Sequence, residues 1–211
     1  MSSNTLPNIM ETELYEKGSS VIIGVDEAGR GAIAGPVVCA AVSFPKNTPL
    51  IDGICDSKKI ISEKKRFELY EKIISTKGIS WYVSVIPHDK IDEINILEAT
   101  MLGMRSAINV VVDKRNGCYA LIDGNRLPIG CDCDAKTIVK GDGKEYVIGC
   151  ASIIAKVTRD IIMNYYHNDF PNYDFSTHKG YPTQKHKEIL KDNGPTIIHR
   201  RTFNPVKDYC K

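Results

Sequence analysis

The sequence predicts an α/β protein, with one central mixed sheet of five strands flanked by helices and a helical segment at the C-terminus. Three observations carry that prediction. Short apolar runs alternate with longer segments of helical periodicity along most of the 211 residues. The first two runs are separated only by a glycine-rich turn of hairpin length, which implies antiparallel pairing. Later runs are separated by helical stretches long enough to serve as crossovers, which implies parallel pairing.

Taken in order, residues 21–26 (VIIGVD) read as a buried strand ending in acid, and 36–44 (PVVCAAVSF) as a second. Residues 62–75 read as a helix that Ser62 can cap, with Phe67, Tyr70 and Ile74 on one face. Residues 79–86, rich in β-branched and aromatic side chains, supply a third strand. Ile94, Leu97, Met101, Met104 and Ile108 recur at helical spacing and predict a helix over 90–112. Residues 118–123 (CYALID) and 137–139 (TIV) give the fourth and fifth strands, each stopped by a glycine. A long helix follows over 145–169, with Val147, Ala151, Ile154, Val157 and Ile161 along one side. A shorter helix runs from 182 to 191, with Pro182 in its first turn. Residues 1–20 read as an N-terminal extension and 21–211 as a single domain.

Composition narrows the function classes. Hydrophobic residues make up 42% and charged residues 26%, the balance of a globular protein. No apolar run approaches the ~18 to 20 residues a bilayer requires. Residues 1–18 lack the basic-then-apolar pattern of an export signal, so a cytoplasmic location is expected. Seven cysteines, an odd count, suit reduced thiols in that setting. Cys131 and Cys133, even with Cys118 as a third ligand, match no zinc spacing and read as incidental thiols. A net charge of +2 indicates no partner. Basic residues do cluster, with Lys58, Lys59, Lys64, Lys65 and Arg66 in one group. A second group holds Lys179, Lys185, Lys187, Lys191, Arg200, Arg201 and Lys207. Both suit phosphate contacts, although on composition alone a solvated helix face is the preferred reading.

The acids are more informative. Asp26 and Glu27 end the first strand, Asp123 ends the fourth, and Asp142 follows the fifth. Ligands of open α/β sheets bind outside the carboxyl ends of strands. If strands one, four and five run parallel and adjacent, four carboxylates meet there. Such a group repels itself unless a cation holds it, and carboxylate oxygens suit Mg²⁺ or Mn²⁺. Two ions would clamp a phosphodiester in line, one activating water and the other stabilising the leaving oxygen. Singly, each acid also reads as a cap or turn former. The segment Asp26-Glu27-Ala28-Gly29-Arg30-Gly31 lets backbone approach a ligand closely, and also reads as a plain hairpin turn.

At this point the motifs resemble those of ribonuclease HII in its bacterial form. The blocks are VDEAGRG at 25–31, DSKK at 56–59, INILEATMLGM at 94–104 and IDGNRLP at 122–128. KGD at 140–142, ASIIAKVTRD at 151–160, HKGYPT at 178–183 and GPTIIHRRTFNPV at 194–206 follow in family order. The resemblance covers about 20–207 and implies a ribonuclease H-like fold. It implies a two-metal site on Asp26, Glu27, Asp123 and Asp142, using Mg²⁺ or Mn²⁺. It further implies that Gly29, Arg30 and Gly31 read a ribose 2′-hydroxyl, that Tyr181 packs on the next sugar, and that Lys58 contacts phosphate. The expected substrate is an RNA–DNA hybrid or a duplex DNA containing ribonucleotides, cut by a monomer, with no protein partner indicated. The loop 129–134 matches no block, so the place of Asp142 rests on the alignment of KGD. Asp160 is a rival acid, better read as structural in mid-helix. The related ribonuclease HIII type carries an extra N-terminal domain, and only about twenty residues precede the first strand here. Rival readings are a nuclease of the same fold that ignores the 2′-hydroxyl, and a binding module without chemistry.

Overall fold

The computed structural model describes residues 5–55, 62–113 and 117–210. Helix α1 (Ile9–Glu16) precedes strands β1 (Val21–Ala28) and β2 (Val37–Pro45). Helix α2 (Glu63–Ser75), strand β3 (Ser80–Ile86) and helix α3 (His88–Val111) follow. Strands β4 (Cys118–Asp123) and β5 (Asp134–Ile138) then lead to helix α4 (Tyr146–Asp169), the single turn α5 (Phe175–His178) and helix α6 (Gln184–Asn193).

The five strands form one sheet in the order β3-β2-β1-β4-β5. β1 pairs antiparallel with β2 and parallel with β4, and β4 pairs parallel with β5. The expected hairpin and crossovers therefore both occur, and strands one, four and five do run side by side. Side chains alternate across the sheet as its period of two requires. Ile22, Ala40, Val42 and Leu121 pack under α4 and α2, while Ile23, Val25, Ala41 and Ile122 pack under α3. Covered on both faces, β1 and β2 can be apolar almost throughout. Gly24 brings β1 against the backbone of α4, since a Cβ there would lie 2.0 Å from the Val147 carbonyl oxygen.

Several elements differ from the sequence reading. Helix α2 does start on a Ser62 cap, whose side chain accepts from the Lys65 amide. Its buried residues, however, are Arg66, Leu69 and Ile73, and Phe67 is exposed. Helix α3 breaks at Asn95 (φ 66°), whose Oδ1 accepts the Leu97 and Glu98 amides and so starts a second helical run. On α4, Ile161 points outward while the rest of the expected stripe is buried. β5 begins three residues before the expected strand. In α6, Thr183 caps the start by accepting from the His186 amide, which leaves Pro182 just outside the helix. Helix α1 belongs to the same core, for Leu14 packs with Ile22 and Tyr146, and Glu11 accepts the Val147 amide.

Candidate active site

The carboxyl ends of β1 and β4 fix the acids. Val25 lies opposite Ile122 in the parallel register, so Asp26 and Asp123 leave the sheet side by side. Asp26 shares the α4 face with Ile22 and Gly24, and it is buried, hydrogen-bonded by Ser152 of α4 and by the Glu27 amide. Glu27, one residue on, belongs to the other face. Asp123 Oδ1 accepts the Gly141 amide at 2.6 Å, which ties the end of β4 to the turn Gly141–Gly143. Asp142 sits in that turn, buried, just before α4 begins.

One oxygen each of Asp26, Glu27 and Asp123 lies within 4.8 Å of the others. Asp142 stands outside this trio but lines the same cleft, of about 300 Å³. Burial pushes the Asp26 carboxyl well above its ordinary range, and the charges of Glu27 and Asp123 push it further. A divalent cation held by these acids would remove the repulsion that adds to the rise. An all-oxygen donor set of small carboxylates suits a hard ion such as Mg²⁺ or Mn²⁺.

The same cleft is lined by Gly29, Arg30, Gly31 and Tyr181. Arg30 Nη1 lies 3.5 Å from Glu27 Oε1. The Tyr181 ring lies against the buried guanidinium of Arg159, 5.2 Å from its centre. Lys58, with the whole DSKK segment, lies outside the described residues. Asp160, the rival acid, is ion-paired with Lys156 at 2.6 Å and faces Arg66 at 3.9 Å.

Two polar cleft residues were not singled out from sequence, Ser152 and Lys156, while Arg66, named there as one of a basic cluster, also lines the cleft. Ser152, Lys156 and Asp160 recur every fourth residue, a polar stripe on an otherwise apolar helix that could have been read. The C-terminal basic cluster is only partly a surface. Lys179 and Arg200 are buried, and Lys185 pairs with Asp174, while Lys187, Lys191, Arg201 and Lys207 are exposed.

Histidines hold the Tyr181 loop from below. The Thr196 amide donates to His199 Nδ1, so that nitrogen is an acceptor and Nε2 carries the proton. His199 Nε2 then donates to His186 Nε2, and His186 Nδ1 donates to the Tyr181 carbonyl. This one-way chain needs both rings neutral. Burial, aided by the neighbouring histidines, lowers His186 to about 4 and His199 to about 3.

The family model for ribonuclease HII matches residues 23–206. The chain belongs to the ribonuclease HII family. A ribonuclease HII of Clostridioides difficile (strain 630) is 47% identical over 196 residues, covering 93% of this chain and 74% of that protein. The crystal structure of ribonuclease H2 from Pyrococcus horikoshii OT3 superposes with a TM-score of 0.72 at 26% identity, covering 90% of this chain and 96% of that one. Bst-RNase HIII in complex with Mn²⁺ superposes with a TM-score of 0.69 at 16% identity, over 93% and 71% of the two chains, and so shares the fold. As a ribonuclease HII, the protein is a type 2 ribonuclease H, an endonuclease that hydrolyses RNA in RNA–DNA hybrids. Among the described residues no helix is long and apolar enough to cross a membrane.

Proposed function

We propose that this ribonuclease HII cuts on the 5′ side of ribonucleotides embedded in duplex DNA as well as within hybrids, leaving a 3′-hydroxyl and a 5′-phosphate. The observation that carries the reading is the meeting of Asp26, Glu27 and Asp123 oxygens within 4.8 Å, in one cleft with Asp142, residues 29–31 and Tyr181.

Asp26, Glu27, Asp123 and Asp142 are the metal-holding residues in this reading. Two divalent ions, Mg²⁺ or Mn²⁺, supply when bound the Lewis acidity that activates water and stabilises the leaving 3′-oxygen. The acids fix where the scissile phosphate can lie, because it must face them from the open side of the cleft. The backbone at Gly29, Arg30 and Gly31 approaches the sugar closely enough to bond a 2′-hydroxyl, since two of these residues carry no side chain. Tyr181 packs on the neighbouring sugar, a contact indifferent to base sequence. Lys58 and the exposed C-terminal cations bind backbone phosphates without reading sequence. All four acids belong to one chain, so a monomer suffices. The cysteines described are all free, consistent with the cytoplasm as its place of work.

The test is a labelled DNA duplex carrying one ribonucleotide, incubated with Mg²⁺, Mn²⁺ or a chelator, beside an all-DNA control. A metal-dependent cut immediately 5′ of the ribonucleotide with the control intact is expected. Cleavage of the all-DNA duplex would overturn the reading of the 2′-hydroxyl. With Tyr181→Ala, cleavage at the lone ribonucleotide is expected to fall by about tenfold or more, the order of one lost stacking contact.

A further inference from the structure

Arg159 and Arg200 are both fully buried, and among the described residues neither has a salt-bridge partner. Burying a cation without a carboxylate is costly, so the groups that do satisfy these two indicate what they are for. Arg200 donates through Nε to the Gly35 carbonyl, through Nη1 to Arg30 and through Nη2 to Gly29, at 3.0, 3.1 and 2.8 Å. Arg159 donates through Nε to Pro36, through Nη1 to Lys179 and through Nη2 to Ala34, at 3.0, 2.8 and 3.1 Å. All six acceptors are main-chain carbonyls of two loops, 29–36 and the one carrying Tyr181.

We propose that Arg159 and Arg200 are positioning residues for sugar recognition, clipping the 29–31 turn and the Tyr181 loop into one rigid template. The proposal rests on the reading of residues 29–31 and Tyr181 as the sugar-recognition elements. In a trans peptide the amide points opposite to the carbonyl. With the Gly29 and Arg30 carbonyls drawn inward by Arg200, the Arg30 and Gly31 amides point away from it. Those two amides have no hydrogen-bond partner among the described residues, and their residues line the cleft. They are donors left for a ligand oxygen.

Arg159 does the same for the other half, fixing Lys179 and lying against the Tyr181 ring. The halves are stitched further by the Ile33 amide on the Gly180 carbonyl and the Arg200 amide on the Ile33 carbonyl, both 2.9 Å. Space is tight as well. A Cβ on Gly29 would lie 2.0 Å from Arg159 Nε, and one on Gly180 2.5 Å from the Ala34 oxygen. Lysine keeps the charge of arginine but lacks the planar fork that reaches several carbonyls at once.

The test is a double-mutant cycle between Arg159→Lys and Tyr181→Ala in the full chain, with single-turnover rates on the one-ribonucleotide duplex and Arg200→Lys measured beside it. Mn²⁺ titration checks the acid site, and amide hydrogen exchange follows segments 29–36 and 177–182. Arg159→Lys is expected to slow cleavage about tenfold or more in the parent and by under about threefold in Tyr181→Ala, since residues acting as a unit are non-additive, and Arg200→Lys to slow it about tenfold or more by itself. Exchange across 29–36 should quicken by about tenfold or more while Mn²⁺ affinity holds. Rate losses that multiply, or unchanged exchange, would overturn the proposal. If Arg159→Lys does not fold, the rate and the exchange of Arg200→Lys decide instead. A parent enzyme that ignores the ribonucleotide would refute the proposed function instead, and the exchange data would still decide whether the arginines clip the loops.

Discussion

At the residue scale, Asp123 separates charge from scaffold. Its Oδ1 holds the Gly141 amide, a bond that asparagine can keep, while the negative charge beside Asp26 disappears. Asp123→Asn should therefore lower cleavage by about a thousandfold or more, several kcal/mol of transition-state stabilisation. Its thermal midpoint without metal should equal or exceed the parent's, because a repulsion is relieved. A variant that still cut at the parental rate would remove Asp123 from the reaction. Asp26, Glu27 and Asp123 were legible in the sequence because strand ends can be read from apolar runs that stop in acid. The fates of Lys179 and Arg200 were not. A basic residue in a basic cluster looks the same whether it meets water, the main-chain carbonyls of the 29–36 loop as Arg200 does, or Asn164 and Glu63 as Lys179 does, and only the path of distant segments decides.

At the scale of elements, the strands and long helices were legible because burial imposes their periods. Helix faces were less so. On α2 the sequence reading chose Phe67, the largest apolar side chain, but the helix turns Leu69 and Ile73 inward, with Arg66 beside them facing Asp160 across from α4. The break in α3 was hidden because Asn95 carries its own cap, keeping hydrophobic residues on both sides in apparent register. Helix α1 was missed for want of an apolar stripe; its inward residues include Glu11, a carboxyl bonded to the start of α4. The contact between β1 and α4 gives the sharpest expectation. Gly24→Ala places a methyl against the Val147 backbone, which cannot swing aside as a side chain can. A loss of about 1–3 kcal/mol or more is expected in denaturant unfolding. Since Asp26 and Ser152 meet further along the same pair, activity should fall with it.

For the whole molecule, buried ionisable groups of opposite sign set the pH range of stability. His186 and His199 protonate near 6.5 when unfolded but only near 4 and 3 when folded, so the unfolded chain binds more protons between those values. Stability therefore falls as pH drops below 6.5. Glu11, raised to about 8 mainly by burial and then by its hydrogen bond with Glu145, acts in reverse, as does Asp26. Its contribution is lost as pH rises towards 8. Thermal melts from pH 4 to 9 should be highest on the acid side of neutrality, where the histidines and the acids offset each other, and should decline from about 6.5 to 8; Glu11→Gln should flatten that decline, and an unchanged slope there would count against a proton held on Glu11. The sheet order has a consequence for how the chain acquires its power to cut. The antiparallel half, β1 to β3, can form from neighbouring segments, but Asp123 reaches Asp26 only when β4 closes on β1 across nearly half the chain. Long-range parallel pairing is slow. A chain arrested after its first three strands therefore carries its first two acids with no cleft around them, and nuclease competence waits on the closing of β4.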